Sequence, residues 1–187
     1  MGFFKNISLD VHAQALAATF AKIREDQFSC ILSNVERVLG ISVATEKLVL
    51  SGEADLSLKG FQFWILLRFM SAQGYLSSQE ADMFNGMVMK HGWNANRDAV
   101  RDCCLNLEKY HQDSADQLLH VAMPIADYLL GDHIDPTVWV VMGRTLFVFS
   151  TQTQLAIARE FRDKQTIEGL QSLLEGQLCY MSGEAPE

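Results

Sequence analysis

Apolar side chains return at every third or fourth position over most of this chain, a period that an amphipathic helix requires and a half-buried strand cannot use. Between Phe3 and Leu39 there is neither Gly nor Pro. Leu9, His12, Ala13, Leu16, Phe20 and Ile23 make one stripe there, and Phe28, Ile31, Leu32, Val35, Val38 and Leu39 make a second. The stripes fall out of phase around residues 25–27, which predicts two helices with a short joint; one long bent helix is the alternative. Gly40 is the expected stop.

The stretch 41–59 carries the weakest helical pattern. Lys47–Ser51 and Asp55–Lys59 alternate about Gly52 as a small β-hairpin would, and a loop with a helical turn is the alternative. Phe61–Gln73 is apolar nearly all round, which places it centrally, and Gly74 ends it. Ser77 and Glu80 have the spacing of a capping box, opening a helix to His91 that Gly92 stops. A further helix spans Asn96–His111, with Val100, Cys103, Cys104 and Leu107 inward. Asp113 caps the next, which Pro124 kinks and Gly131 ends.

Asp135-Pro136 is a helix start with proline in the first helical position. The residues that follow, Val138–Met142 and Leu146–Phe149, are rich in β-branched and aromatic types. They suit a buried helix or a hairpin, and the proline and the length favour the helix. Thr151–Tyr180 continues at helical steps with a break expected near Gln165, and a loose tail follows from about residue 182. The expectation is a mainly α, single helical domain over residues 1–187. It is an irregular bundle of about seven or eight helices with short antiparallel connections, carrying a small hairpin near residues 47–59 if that alternation holds.

Composition restricts the partners. Hydrophobic residues make up 49% of the 187, enough for a core without staples, while charged residues reach only 20%. So few charges favour self-association or a partner that covers apolar surface, on equal terms with a well-filled monomer. Fifteen basic residues stand against twenty-three acidic ones, a formal net charge of −8. Arg97 and Arg101 share a helical face but are interleaved with Asp98 and Asp102, so there is no basic stripe for nucleic acid or for an anionic membrane surface. The longest apolar run, Phe61–Met70, is half the length of a bilayer span. Four cysteines without framework spacing and the lack of a leader pattern point to reduced thiols and a cytoplasmic setting.

Phosphate-binding glycine loops, nucleophile elbows, Cys-x-x-Cys and His-Glu-x-x-His are all missing, so the sequence names no reaction. Its most suggestive pattern is histidine. His12, His91 and His111 each fall on the apolar stripe of a different expected helix, and Glu108 precedes His111 by three, the spacing that aims both groups inward in di-iron bundles. Convergence of these four would make a metal or haem site; helix-end capping by the histidines is the ordinary alternative. Asp116 with His120, and the loop pair Asp132–His133, are candidate acid/base pairs that read equally as solvated charge and capping. Cys103 and Cys104 point about 100° apart and read as small core residues. Met83, Met87 and Met89 lead to Trp93 along a soft face suited to a helical partner, or to core filling.

The leading expectation is therefore a non-enzymatic helical protein acting through protein contacts, as regulator, adaptor, chaperone-like factor or inhibitor, and as a homodimer. On that reading it needs no cofactor. The alternative is a ligand- or cofactor-binding bundle, holding haem or a transition metal around the histidines, or an apolar small molecule near Phe63, Trp64 and Met87.

Overall fold

In the computed structural model, which describes residues 9–43, 50, 52–109, 114–131 and 136–182, the phase gap at residues 25–27 does not break the first helix. Helix α1 (Leu9–Leu39) is continuous over 31 residues. The reason is polar. Arg24 and Gln27 are buried in line with Ala13, Leu16, Phe20, Ile31 and Val35, so the inward stripe keeps its period while its chemistry changes. The Arg24 guanidinium donates to Gln62 Oε1 at 2.7 Å, and Gln27 Nε2 donates to Gln152 Oε1 at 3.0 Å. A buried polar group that finds its partner carries little penalty, so the helix runs through.

Helix α2 (Gly52–Gln73) overturns the hairpin. Asp55–Lys59 forms helical turns, because Ala54, Ser57, Leu58 and Phe61 recur inward at steps of three and four. Asp55 also pairs with Lys59 one turn on, at 2.5 Å. Residues 47–49 and 51, the other arm, lie outside the described residues, and among those described there is no strand. Gly74, at φ 62°, closes α2 by donating to the Met70 carbonyl.

The capping box forms as the sequence implied: Ser77 precedes α3 (Ser78–Trp93), and its hydroxyl and the Glu80 carboxylate serve each other's backbone amides. The helix passes through Gly92, which packs on Ala17 of α1. A short 3-10 turn, Asn94–Asn96, leads into α4 (Arg97–Lys109). Helix α5 (Ser114–Leu130) contains Pro124 and ends at Gly131. Helix α6 (Pro136–Glu160) starts at the proline and runs 25 residues through Gly143. Burial of Val138, Met142, Leu146 and Phe149 overrides the strand preference of its β-branched residues.

The break expected near Gln165 falls a few residues earlier. Asp163 N donates to the Ala158 carbonyl and Arg162 N to that of Arg159, a C-terminal cap with Arg162 left-handed at φ 55°. Asp163 then caps α7 (Lys164–Ser182) by accepting from Thr166 N, and Tyr75 donates to its other oxygen at 2.9 Å. Glycine meets no Cβ penalty at such a φ, so Arg162→Gly is expected to raise stability by about 1 kcal/mol in urea denaturation. An unchanged or lower midpoint would contradict this account of the turn.

Two apolar clusters fill the bundle. One joins the C-terminal half of α1 to α5 and the starts of α2 and α6, through Phe28, Ile31, Leu58, Ile125, Met142 and Phe149. The other joins the N-terminal half of α1 to α3, α4 and the ends of α2 and α6, through Leu16, Phe20, Leu66, Phe84, Trp93, Val100 and Ile157. Ile23 and Trp64 border both. Among the described residues no helix is long and apolar enough to cross a membrane.

Candidate functional site

The histidines are drawn to separate partners. His12 Nδ1 pairs with Glu160 at the end of α6. His91 Nε2 donates to Asp10 Oδ1 at 2.8 Å, a bond that holds the Asp10 carboxyl below its usual range. Both pairs tie the first turns of α1 to the last turns of neighbouring helices. Glu108 accepts from Arg68 Nη2 at 2.8 Å at the surface. His111 lies outside the described residues, and so do the Asp132–His133 loop and the side chain of Asp116. Among the described residues no three His, Cys, Asp or Glu side chains are grouped to hold a metal. His120 borders a cavity of about 360 Å³ between α2, α4 and α5, with Cys103 and Pro124.

The methionine face of α3 is not one surface. Met83 is half exposed, and Met87 is partly buried against the core. Met89 and Trp93 are buried, at 2% exposure each. Trp93 stacks on Phe20 at 6.1 Å between ring centroids and takes Phe63 edge-on at 5.7 Å. Burial of Met89 and Trp93 has a simple origin. Met89 and Trp93 are one turn apart, in phase with Asn85, and α3 buries that line together with Phe84 and Val88 instead of presenting it.

That burial shapes a cavity of about 790 Å³ between α2, α3 and α4. Helix α2 supplies Phe63 and Leu67, one turn apart. Helix α3 supplies Asp82, Asn85, Gly86 and Met89, and α4 contributes Cys104 and Leu105 with four charged residues, Arg97, Asp98, Arg101 and Asp102. Phe63, Asn85, Met89 and Cys104 are buried and form the floor; the charged residues and Gly86 are exposed and form the mouth. Among the described residues none of the five charged side chains at the mouth is in an ion pair. Nothing stands within 4 Å of where a Cβ on Gly86 would be.

The floor is uncharged. Burial, with Glu108 nearby, pushes the Cys104 thiol from its ordinary 9.0 up to about 11, so it stays protonated at neutral pH. Because the folded pKa is the higher one, the associated stability is complete below pH about 9 and is lost as pH rises through about 11. Urea midpoints should therefore fall across that window, and Cys104→Ala should flatten the decline. An equally steep decline in that variant would assign it elsewhere.

Comparison with protein-family models, curated proteins and solved structures gives no match to this chain. The site stands on its geometry. Of its residues the sequence pointed to Phe63 as pocket-lining, and to Arg97 and Arg101 as neighbours interleaved with Asp98 and Asp102. Asn85 and Gly86 gave no signal beyond being a polar residue and a glycine inside a helix.

Proposed function

We propose that this protein binds an apolar small molecule in the cavity between α2, α3 and α4, as a helical ligand-binding bundle and not as an enzyme. The observation that carries the reading is a cavity of about 790 Å³ with a buried floor of Phe63, Met89 and Cys104 under an exposed charged mouth. Sites for small molecules run to roughly 300–1,000 Å³, mostly apolar with a few placed polar groups. A histidine-bound haem or metal has less support, since His12, His91 and Glu108 each have a different partner.

N-phenyl-1-naphthylamine, which fluoresces in apolar surroundings, is the probe. It should bind the wild-type protein saturably at one site. Gly86→Phe, which fills the mouth from an exposed position, should weaken binding by at least about tenfold, or 1.4 kcal/mol, with a melting temperature no lower than that of wild type. Equal affinity for both proteins would remove the cavity as the site.

A second reading is favoured by α7. None of its described side chains is buried, and Leu173 and Leu178 are 52% and 48% exposed; on α6, Val140 and Phe147, two turns apart, are also about half exposed. These support a protein partner or a homodimer along α6 and α7. Light scattering after size exclusion should then show a dimer that Leu173→Asp dissociates. A strict monomer at high concentration would end the homodimer version.

A further inference from the structure

We infer that the cavity between α2, α4 and α5 is a second binding site, and that its ligand is an amphipathic organic cation, a protonated amine on a short apolar body. The space measures about 360 Å³, within the roughly 300–1,000 Å³ of small-molecule sites. Leu56 of α2, Leu107 of α4, and Val121 and Met123 of α5 give it apolar walls, while Glu53 and Asp127 stand exposed at its edge. Among the described residues no lysine or arginine lines it, and neither acid is in an ion pair. The α2–α4 contact separates this space from the site proposed above, since Cys103 lines the one and Cys104 the other.

Charge decides the ligand class. In the cavity between α2, α3 and α4, Arg97 and Arg101 balance the acids of the mouth; here Glu53 and Asp127 have no such counterweight. Carboxylates over low-dielectric walls focus a negative potential and raise the local concentration of cations. The thiol of Cys103 senses that field: burial, then Asp102 and Glu53, push its pKa above the ordinary range. Asp127 is a separate sign. It lies in the last turn of α5, at the negative end of the helix dipole, where an acid is unfavourable. Its side chain is exposed and unpaired, so packing gives it no return there. Facing a bound ammonium would. Met123 and Asp127, one turn apart, set an apolar and an anionic group on one line of α5, and Leu56 and Glu53 do the same on α2. A ligand with an apolar body and a cationic end matches both lines at once.

The test is calorimetric titration with 4-phenylbutylamine, 4-phenylbutanol and 4-phenylbutyrate, which share a body and differ in the charge of the head. Wild-type protein should bind the amine at one site, at least about tenfold more tightly than the butyrate, with the alcohol between them. Glu53→Gln with Asp127→Asn should weaken amine binding at least about fivefold, the effect of a single solvated charge contact, and leave the alcohol unchanged. Should that double variant fail to fold, Asp127→Asn alone, which relieves the helix end, should still weaken the amine and not the alcohol. Gly86→Phe, which blocks the other cavity, should leave amine binding as it is. Equal binding of amine and butyrate, or no binding of the amine, would overturn the inference. So would a preference for the amine that survives both acid substitutions, or its loss in Gly86→Phe, which would place the amine in the other cavity. The site between α2, α3 and α4 is judged separately, by N-phenyl-1-naphthylamine.

Discussion

Replacing Arg24 with alanine is expected to destabilise the protein by about 3–5 kcal/mol, the sum of an orphaned buried acceptor and a void left in the core. The residue is 6% exposed, in the middle of α1. Its guanidinium donates to Gln62 Oε1 at 2.7 Å, lies 3.7 Å from Asp55 and sits over the Trp93 ring at 5.7 Å from the centroid. Burial lowers its pKa, and Asp55 opposes the shift. Alanine would orphan Gln62 Oε1 in a residue with no exposure at all and open a void beneath Trp93. Asp55 would keep Lys59, so the loss centres on Gln62. The double variant Arg24→Met with Gln62→Leu removes the charge and its acceptor together and should recover most of the stability. Urea denaturation decides. A loss below about 1 kcal/mol for Arg24→Ala, or no recovery in the double variant, would show that this polar contact is not what carries α1 across its phase gap.

The same contact shows where the sequence could be read and where it could not. Period alone located the helical segments, because each inward stripe is a local pattern of one chain segment. The Ser77–Glu80 cap and the proline start of α6 are local chemistry too, and both stand where expected. The continuity of α1 across residues 25–27 is not legible locally, because Arg24 and Gln27 count as outward residues until Gln62 and Gln152 are known to wait for them, 38 and 125 residues away. The hairpin failed for a related reason: Asp55–Lys59 alternates, yet the same letters also satisfy a helix whose inward line is Ala54, Ser57, Leu58 and Phe61. Residue type leaves the methionines of α3 open to a partner or to the core, whereas the rotation of α3 about its axis decides exposure and is fixed by packing against α1 and α2. Asn85 is the extreme case. A polar residue at a buried helical position has no sequence signature until the cavity beside it is seen.

Gly60→Val is the other substitution expected to act strongly, at about 3 kcal/mol or more, near the top of the range for overpacking. Inside a helix glycine is about 1 kcal/mol worse than alanine, so its presence at a buried position of α2 needs a tertiary reason. Cys103 of α4 provides it: a Cβ built on Gly60 would stand 2.4 Å from Cys103 Cβ and 3.5 Å from its backbone. Carbon atoms prefer about 3.5–4.0 Å, and a Cβ cannot rotate away, so α4 must back off from α2 by roughly 1 Å. The shift would reach the candidate site, because Phe63 is one turn beyond Gly60 and Cys104 adjoins Cys103, and both form the floor. Probe affinity should therefore fall in Gly60→Val although neither Gly60 nor Cys103 lines that cavity. The milder Gly60→Ala should lose about 1–2 kcal/mol, and adding Cys103→Gly should return part of it by reopening the space. A Gly60→Val protein with wild-type urea midpoint and probe affinity would mean that the close approach of α2 and α4 does not set the shape of the floor.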